Sequence, residues 1–241
     1  ALAIARLETL APGLKRIGLS ATVAEPDSLR AWLMPQREAG VEDLASFVEA
    51  RGGAEPDLTI LTPGEERMPW SGHSAVYALP ALYEALKQAH MALIFTNTRS
   101  QAERLFHELW TINEDALPIA LHHGSLDVSQ RRKVEAAMAA GSLRAVVCTS
   151  TLDLGIDWGD VDLVINVGAP KGSSRILQRI GRANHRYDEP SRALLVPANR
   201  FEVLECRAAI DAIAENAQDT PPLRTGALDV LAQHVLGTAC G

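Results

Sequence analysis

Between Leu143 and Arg186 the chain reads LRAVVCTSTLDLGIDWGDVDLVINVGAPKGSSRILQRIGRANHR. Two runs inside it, 145–148 and 162–167, are short, apolar and rich in β-branched residues. Such runs fit buried parallel strands, whose side chains meet apolar neighbours on both faces. After the first come Thr149-Ser150-Thr151, with Gly155 and Asp157 close behind. After the second, Gln178-Arg179-Ile180-Gly181-Arg182 sits in a helical pattern. Ligands of open α/β sheets bind at the carboxyl ends of strands. Hydroxyls, a glycine, a carboxylate and clustered arginines at two such ends suit phosphate and ribose. This stretch therefore points to an α/β fold that handles a nucleotide.

The rest of the chain extends the pattern. Residues 1–10 read as a helix stopped by Pro12-Gly13, 16–19 as a strand, and the segment after Glu25-Pro26-Asp27 as a short helix. Residues 35–64 are polar, with a helical stretch near 44–48 and a strand at 57–61. Pro69-Trp70-Ser71-Gly72-His73 marks a boundary, and apolar spacing from Val76 to Leu86 predicts a helix. Strand and helix then alternate: strands at 91–95, 118–121, 145–148, 162–167 and 193–196, helices at 100–110, 128–140, 173–182 and 200–215. Alternating βα units imply a parallel sheet with helices on both faces. Pro221-Pro222 signals a linker, and a further helix begins at Leu228.

The net charge of −7 argues against coating nucleic acid by bulk positive charge, but not against a local groove. The basic run from Lys171 to Arg192 is, by charge alone, a solvated helix face. Cys148, Cys206 and Cys240 show no metal spacing and read as reduced thiols of a cytoplasmic protein. No run approaches the ~20 apolar residues of a membrane span. His122 and His123, adjacent on a strand, point to opposite faces and make a poor metal pair, so no metal ligands are assigned.

Strand ends carry Thr96-Asn97-Thr98-Arg99, His122-His123-Gly124-Ser125 and Thr149-Ser150-Thr151. Any one of these is ordinary helix capping. Several along one edge suit the backbone of a single nucleic-acid strand, held by its phosphates rather than its bases.

Ser20-Ala21-Thr22, IFTNTRSQAE at 94–103, HHGSL at 122–126, CTSTLDLGIDW at 148–158 and QRIGRANHR at 178–186 stand in the order of superfamily-two helicase motifs. With PWSGH at 69–73 and PANRFEVLEC at 197–206, the chain resembles the large helicase-related (Lhr) family, in its ligase-associated DEXH-box branch. The resemblance implies a RecA-like fold: the end of a first lobe and a crossing over 1–66, the second helicase lobe over 67–206, and a linker with the start of a winged-helix region over 207–241. It implies that Ser20 and Thr22 couple ATP hydrolysis to strand movement. Thr98, Arg99, Gly124 and Thr149 would hold phosphates of the tracking strand, and Gly155 and Asp157 would lie near the ATP ribose. Gln178 and Arg182 would face the γ-phosphate, Arg182 as an arginine finger, with Arg179 in support. His185 stands where many such helicases carry a second arginine, Arg186 being displaced by one residue.

No GxxxxGK[ST] loop occurs, and the only Asp-Glu pair, Asp188-Glu189, follows the finger. The resemblance implies the central part of an ATP-dependent DNA helicase or translocase, moving 3′ to 5′ in DNA repair, and the missing motifs imply that the chain is inactive alone. Its ATP and Mg²⁺ would be held mainly by the absent lobe. Expected partners are single-stranded DNA or a tailed duplex, an RNA–DNA hybrid, a repair nuclease and a DNA ligase. One alternative is a RecA-like binding or regulatory module without motor activity. A dinucleotide-dependent oxidoreductase is disfavoured because no GxGxxG follows a strand.

Overall fold

The computed structural model describes residues 2–20, 25–35, 43–49, 55–62, 67–153, 161–183, 190–217, 219 and 226–240. In chain order the elements begin α1 (Leu2–Leu10), α2 (Pro26–Leu33), β1 (Asp57–Ile60), α3 (Leu79–Gln88), β2 (Ala92–Thr96), α4 (Arg99–Thr111) and β3 (Ile119–His122). They continue α5 (Val128–Ala139), β4 (Ala145–Cys148), β5 (Leu163–Val167), α6 (Ser173–Ile180), β6 (Arg192–Val196), α7 (Arg200–Ala214) and α8 (Leu228–Ala239). They fall into two compact units, Ala1–Arg51 with Asp219–Gly241, and Gly52–Gln218.

The second unit is built on a six-stranded sheet in the order β1-β6-β5-β2-β4-β3, every pair parallel. The apolar runs that suggested buried strands occupy its centre, and every residue of β2, β4 and β5 is buried. Side chains alternate between the faces, as a strand's period of two requires. Ile94, Val147 and Ile165 pack with Leu82 and Leu86 of α3 and Leu105 and Leu109 of α4. Leu93, Phe95, Val146 and Val164 pack with Met138 of α5, Ile176 and Ile180 of α6, and Cys206 and Ala209 of α7. This is the RecA-like α/β architecture expected, helices covering both faces. The strand read at 57–61 pairs through β1 with β6, at one edge of the sheet.

In the first unit, α1 packs beside α8, and Arg16 ties the segment after α1 to Glu8 (2.6 Å) and to the Leu33 carbonyl (2.8 Å). Two expectations fail here. Residues 16–19 form no strand: a strand needs a neighbour for its N–H and C=O groups, none pairs with it among the described residues, and Ile17 and Leu19 are 82% and 93% exposed. Residues 43–49 form no helix either. Five residues of helical spacing are too few to repay helix nucleation without a packed face. No helix among the described residues is long and apolar enough to cross a membrane.

Candidate functional site

Because β2 and β4 are parallel neighbours in register (Phe95 opposite Cys148), the segments that leave them emerge side by side. The Thr96 hydroxyl donates to the Cys148 carbonyl (3.3 Å) and the Thr98 carbonyl (3.1 Å), joining the two exits. Between them lies a cleft of about 460 Å³ lined by Asn97, Thr98, Arg99, Ser100, Thr149 and Ser150. Three of the four expected phosphate-binding residues, Thr98, Arg99 and Thr149, are brought together here.

Thr98 caps α4 through a reciprocal box. Its Oγ1 accepts from the Gln101 N–H (3.2 Å), and Gln101 Oε1 accepts from the Thr98 N–H (3.1 Å). The positive end of α4 and its first-turn Arg99 thus face one cleft, a setting that favours anions. Arg99 donates to the Ser125 hydroxyl, linking the cleft to the 122–126 segment. Gly124 is exposed beside Ser125, and a Cβ there would meet the Thr151 methyl at an ordinary 3.8 Å.

The histidines that precede Gly124 are both 2% exposed. His122 Nδ1 lies 2.9 Å from Thr151 Oγ1 and Nε2 3.1 Å from Glu135 Oε1, while His123 Nε2 lies 3.1 Å from Glu103 Oε1. They brace the strand end against two different helices. No group of three His, Cys, Asp or Glu suited to a metal occurs among the described residues.

The arginines in and just after α6 part company. Arg179 is 3% exposed and held from three sides. Its Nε donates to Asp153 Oδ1 (2.8 Å), its Nη1 donates to Asn166 Oδ1, and its guanidinium lies 4.6 Å from the Phe95 ring centroid. A buried guanidinium survives only with such partners, so Arg179 fixes α6 to the sheet. Gln178 and Arg182 are half-buried. The helix tightens at its end, the Arg182 N–H donating to the Arg179 carbonyl (2.9 Å), so anchoring Arg179 also positions Arg182. Ser20 is exposed in the first unit. Thr22, Gly155, Asp157, His185 and Arg186 lie outside the described residues.

Asp153 and Asn166 were not picked out from sequence. The signal was present for Asn166, an amide inside the apolar run LVINV, where a polar group requires a partner. Asn97, given no role of its own within the strand-end run, donates through Nδ2 to the Ala169 carbonyl (2.8 Å), whereas its Oδ1 has no partner among the described residues. Burial pushes the Cys148 thiol well above its ordinary pKa, against the opposing pull of the nearby Arg179 charge, so this thiol is inert core rather than a nucleophile.

Residues 77–187 match the helicase conserved C-terminal domain. Over 240 residues the chain is 34% identical to the ATP-dependent helicase Lhr-Core protein 2 of Thermococcus barophilus, covering 99% of this chain and 28% of that protein. It is 32% identical over 273 residues to the Lhr helicase/probable uracil glycosylase of Mycolicibacterium smegmatis, covering 99% and 18%. The structure of Mycobacterium smegmatis helicase Lhr bound to ssDNA and AMP-PNP superposes with a TM-score of 0.86 at 33% identity, over 99% of this chain and 31% of that one. The chain spans less than a third of the length of these relatives. With motifs in helicase order, a RecA-like sheet and the conserved helicase C-terminal domain over residues 77–187, the chain is similar along its whole length to the superfamily-two helicases of the Lhr family.

Proposed function

We propose that the chain carries the second RecA-like lobe of an ATP-driven DNA helicase or translocase that moves 3′ to 5′ and serves DNA repair. The supporting observation is the cleft between the ends of β2 and β4, where hydroxyls, a helix N-terminus and Arg99 converge. Those groups suit the phosphates of one strand, and none of them reads a base, as a motor that steps along any sequence requires. The division into first-lobe end and crossing (1–66), second lobe (67–206) and winged-helix start (207–241) belongs to the same reading. So does placement in the ligase-associated branch, with a repair nuclease and a DNA ligase as partners in the cytoplasm. Single-stranded DNA, a tailed duplex or an RNA–DNA hybrid would be the track.

The donors at the end of α6 fit a triphosphate: the amide of Gln178 and a half-buried guanidinium, Arg182, two residues past the helix, lie four residues apart. The described residues offer no carboxylate cluster for Mg²⁺, and the sequence contains no phosphate loop, so Mg²⁺ is assigned to the other lobe. Bound ATP supplies a phosphoryl group whose transfer spreads negative charge over its oxygens. Arg182 would meet that charge, Gln178 would orient at its side, and Arg179 would hold both in place from the core. Gly155 and Asp157 are assigned to the ribose, Ser20 and Thr22 to coupling.

The test is ATP hydrolysis by the full-length protein with and without single-stranded DNA, for wild type and Arg182→Ala. Stimulation by DNA, lost by at least ~10³-fold in the variant, is expected. An unchanged rate in the variant would remove the finger assignment. No hydrolysis by the wild type would leave a non-motor binding module as the better account.

A further inference from the structure

The sheet edge that carries the phosphate cleft continues past β5 to β6, where the chain presents side chains that neither the core nor the cleft uses. Trp70 is 65% exposed and Phe201 61%, their ring centroids 6.4 Å apart at an interplanar angle of 54°. The Arg200 guanidinium carbon stands 4.3 Å from the Trp70 centroid. Neighbouring aromatics of this size are ordinarily buried, because each removes a large apolar area from water.

These rings are nonetheless held in place. The Arg200 N–H donates to the Pro69 carbonyl (3.1 Å) and its Nε to the Met68 carbonyl (3.2 Å). Asn199, which caps α7 by accepting from the N–H groups of Phe201 and Glu202, donates through Nδ2 to the Gly72 carbonyl (2.9 Å). Gln101 Nε2 donates to the His73 carbonyl (3.4 Å). Gln101 is the same residue that boxes Thr98 at the cleft. The segment from Met68 to His73 is therefore a fixed bridge from the N-terminus of α4, beside the cleft, to the N-terminus of α7.

We infer that Trp70, Phe201 and Arg200 form a platform on which unpaired bases of a nucleic-acid strand stack as its phosphates cross the cleft. The inference rests on the proposed function and adds to it a contact with bases. Three considerations select this ligand. A flat indole and a phenyl ring offer π-faces that any base can meet, whatever the sequence. Arg200 puts a positive charge against the indole, and exposed Arg67 lies three residues before Trp70, so an adjoining phosphate meets cations. The geometry also matches. β6 lies two strands from β2, or about 10 Å at 4.7–4.9 Å per strand, a span of about three nucleotides at ~3.4 Å each. The His73 carbonyl, three residues past Trp70, lies 3.4 Å from Gln101 Nε2 in the first turn of α4, so the platform adjoins the cleft.

The experiment compares two probes on the full-length protein: an oligothymidylate, and an abasic phosphodiester strand of equal length and charge. Trp70→Ala is expected to weaken oligothymidylate binding on the order of 5- to 150-fold and to leave the abasic strand unaffected. Trp70→Phe, which keeps a ring, should retain most of the affinity. Arg99→Ala should weaken both probes alike. The inference is overturned, with the proposed function intact, if Arg99→Ala weakens both probes while Trp70→Ala changes neither. An equal loss on both probes in Trp70→Ala also overturns it, since stacking cannot act on a strand without bases. A lowered melting temperature with unchanged affinity would show instead that the rings pack against another part of the protein. If the wild type binds neither probe, the proposed function falls and the inference with it.

Discussion

Asp153→Ala tests how α6 is held to the sheet. The Arg179 and Asp153 side chains are 4% and 8% exposed and meet at 2.8 Å. Deleting the carboxylate leaves a guanidinium in the core with, among the described residues, the Asn166 amide oxygen and the Phe95 ring as its remaining contacts. Breaking a buried pair in this way costs about 3–5 kcal/mol, most of it the uncompensated charge. For a chain of 241 residues, where each kcal/mol moves the melting temperature by about 2–4 °C, the fall is about 6–20 °C. Arg175 also approaches Asp153, but at 3.7 Å and 43% exposed, so Arg175→Ala should cost no more than about 1 kcal/mol. The decisive variant is the double Arg179→Met/Asp153→Leu, which removes both charges and keeps apolar bulk. It should be more stable than either single, because a buried pair barely outweighs its own desolvation. Thermal unfolding followed by circular dichroism at 222 nm reads wild type and every variant. The reasoning is refuted if Asp153→Ala melts within 1 °C of wild type, or if the two single penalties simply add in the double.

Other outcomes follow from the same geometry. Of the three cysteines, only exposed Cys240 should react rapidly with a thiol reagent at pH 8, since Cys148 and Cys206 are buried with raised pKa values; labelling of all three in the native protein would contradict this. Stability should decline as pH rises from about 9 toward 12. Burial pushes Cys206 from 9.0 to about 12 and Tyr77 from 10.0 to about 12, so the unfolded chain loses these protons first, and the native state's advantage is complete only below the unfolded values. Urea midpoints across that range read it, and a midpoint that rises with pH there would reverse the sign. Gly168→Ala should destabilise by about 1–3 kcal/mol, because φ is +94° and the new Cβ would lie 3.0 Å from Asn97 Nδ2. Through Asn97 it should also weaken single-strand binding at the cleft, which fluorescence anisotropy would measure. Asn199→Ala should cost about 1–2 kcal/mol as a lost helix cap, read as a shift in the urea midpoint; no shift would deny it that role.

The class of fold and the run of elements were legible because they rest on local periodicity. ALIFT, AVVC and LVINV are apolar at every or nearly every position, which only strands buried on both faces tolerate, and the amphipathic spacing between them could only be helices. The hydroxyls that follow β2 and β4 were legible as a potential phosphate edge for the same reason, since strand ends are fixed once strands are. Pairing across distance was not legible. Residues 16–19 have strand composition and no ladder, because a strand exists only beside a partner. The resemblance set Arg179 in support of Gln178 and Arg182, but not what holds it: it turns into the core to meet Asp153, 26 residues away, and Asn166. Trp70 and Arg200 are 130 positions apart in the sequence, and only the order of β6 and β2 in the sheet brings their platform to the edge that holds the cleft. The sequence by itself determined what each segment becomes. Which side chains share a charge, a ring face or a cleft was decided by the tertiary structure, because those energies depend on contacts between segments that no local pattern encodes.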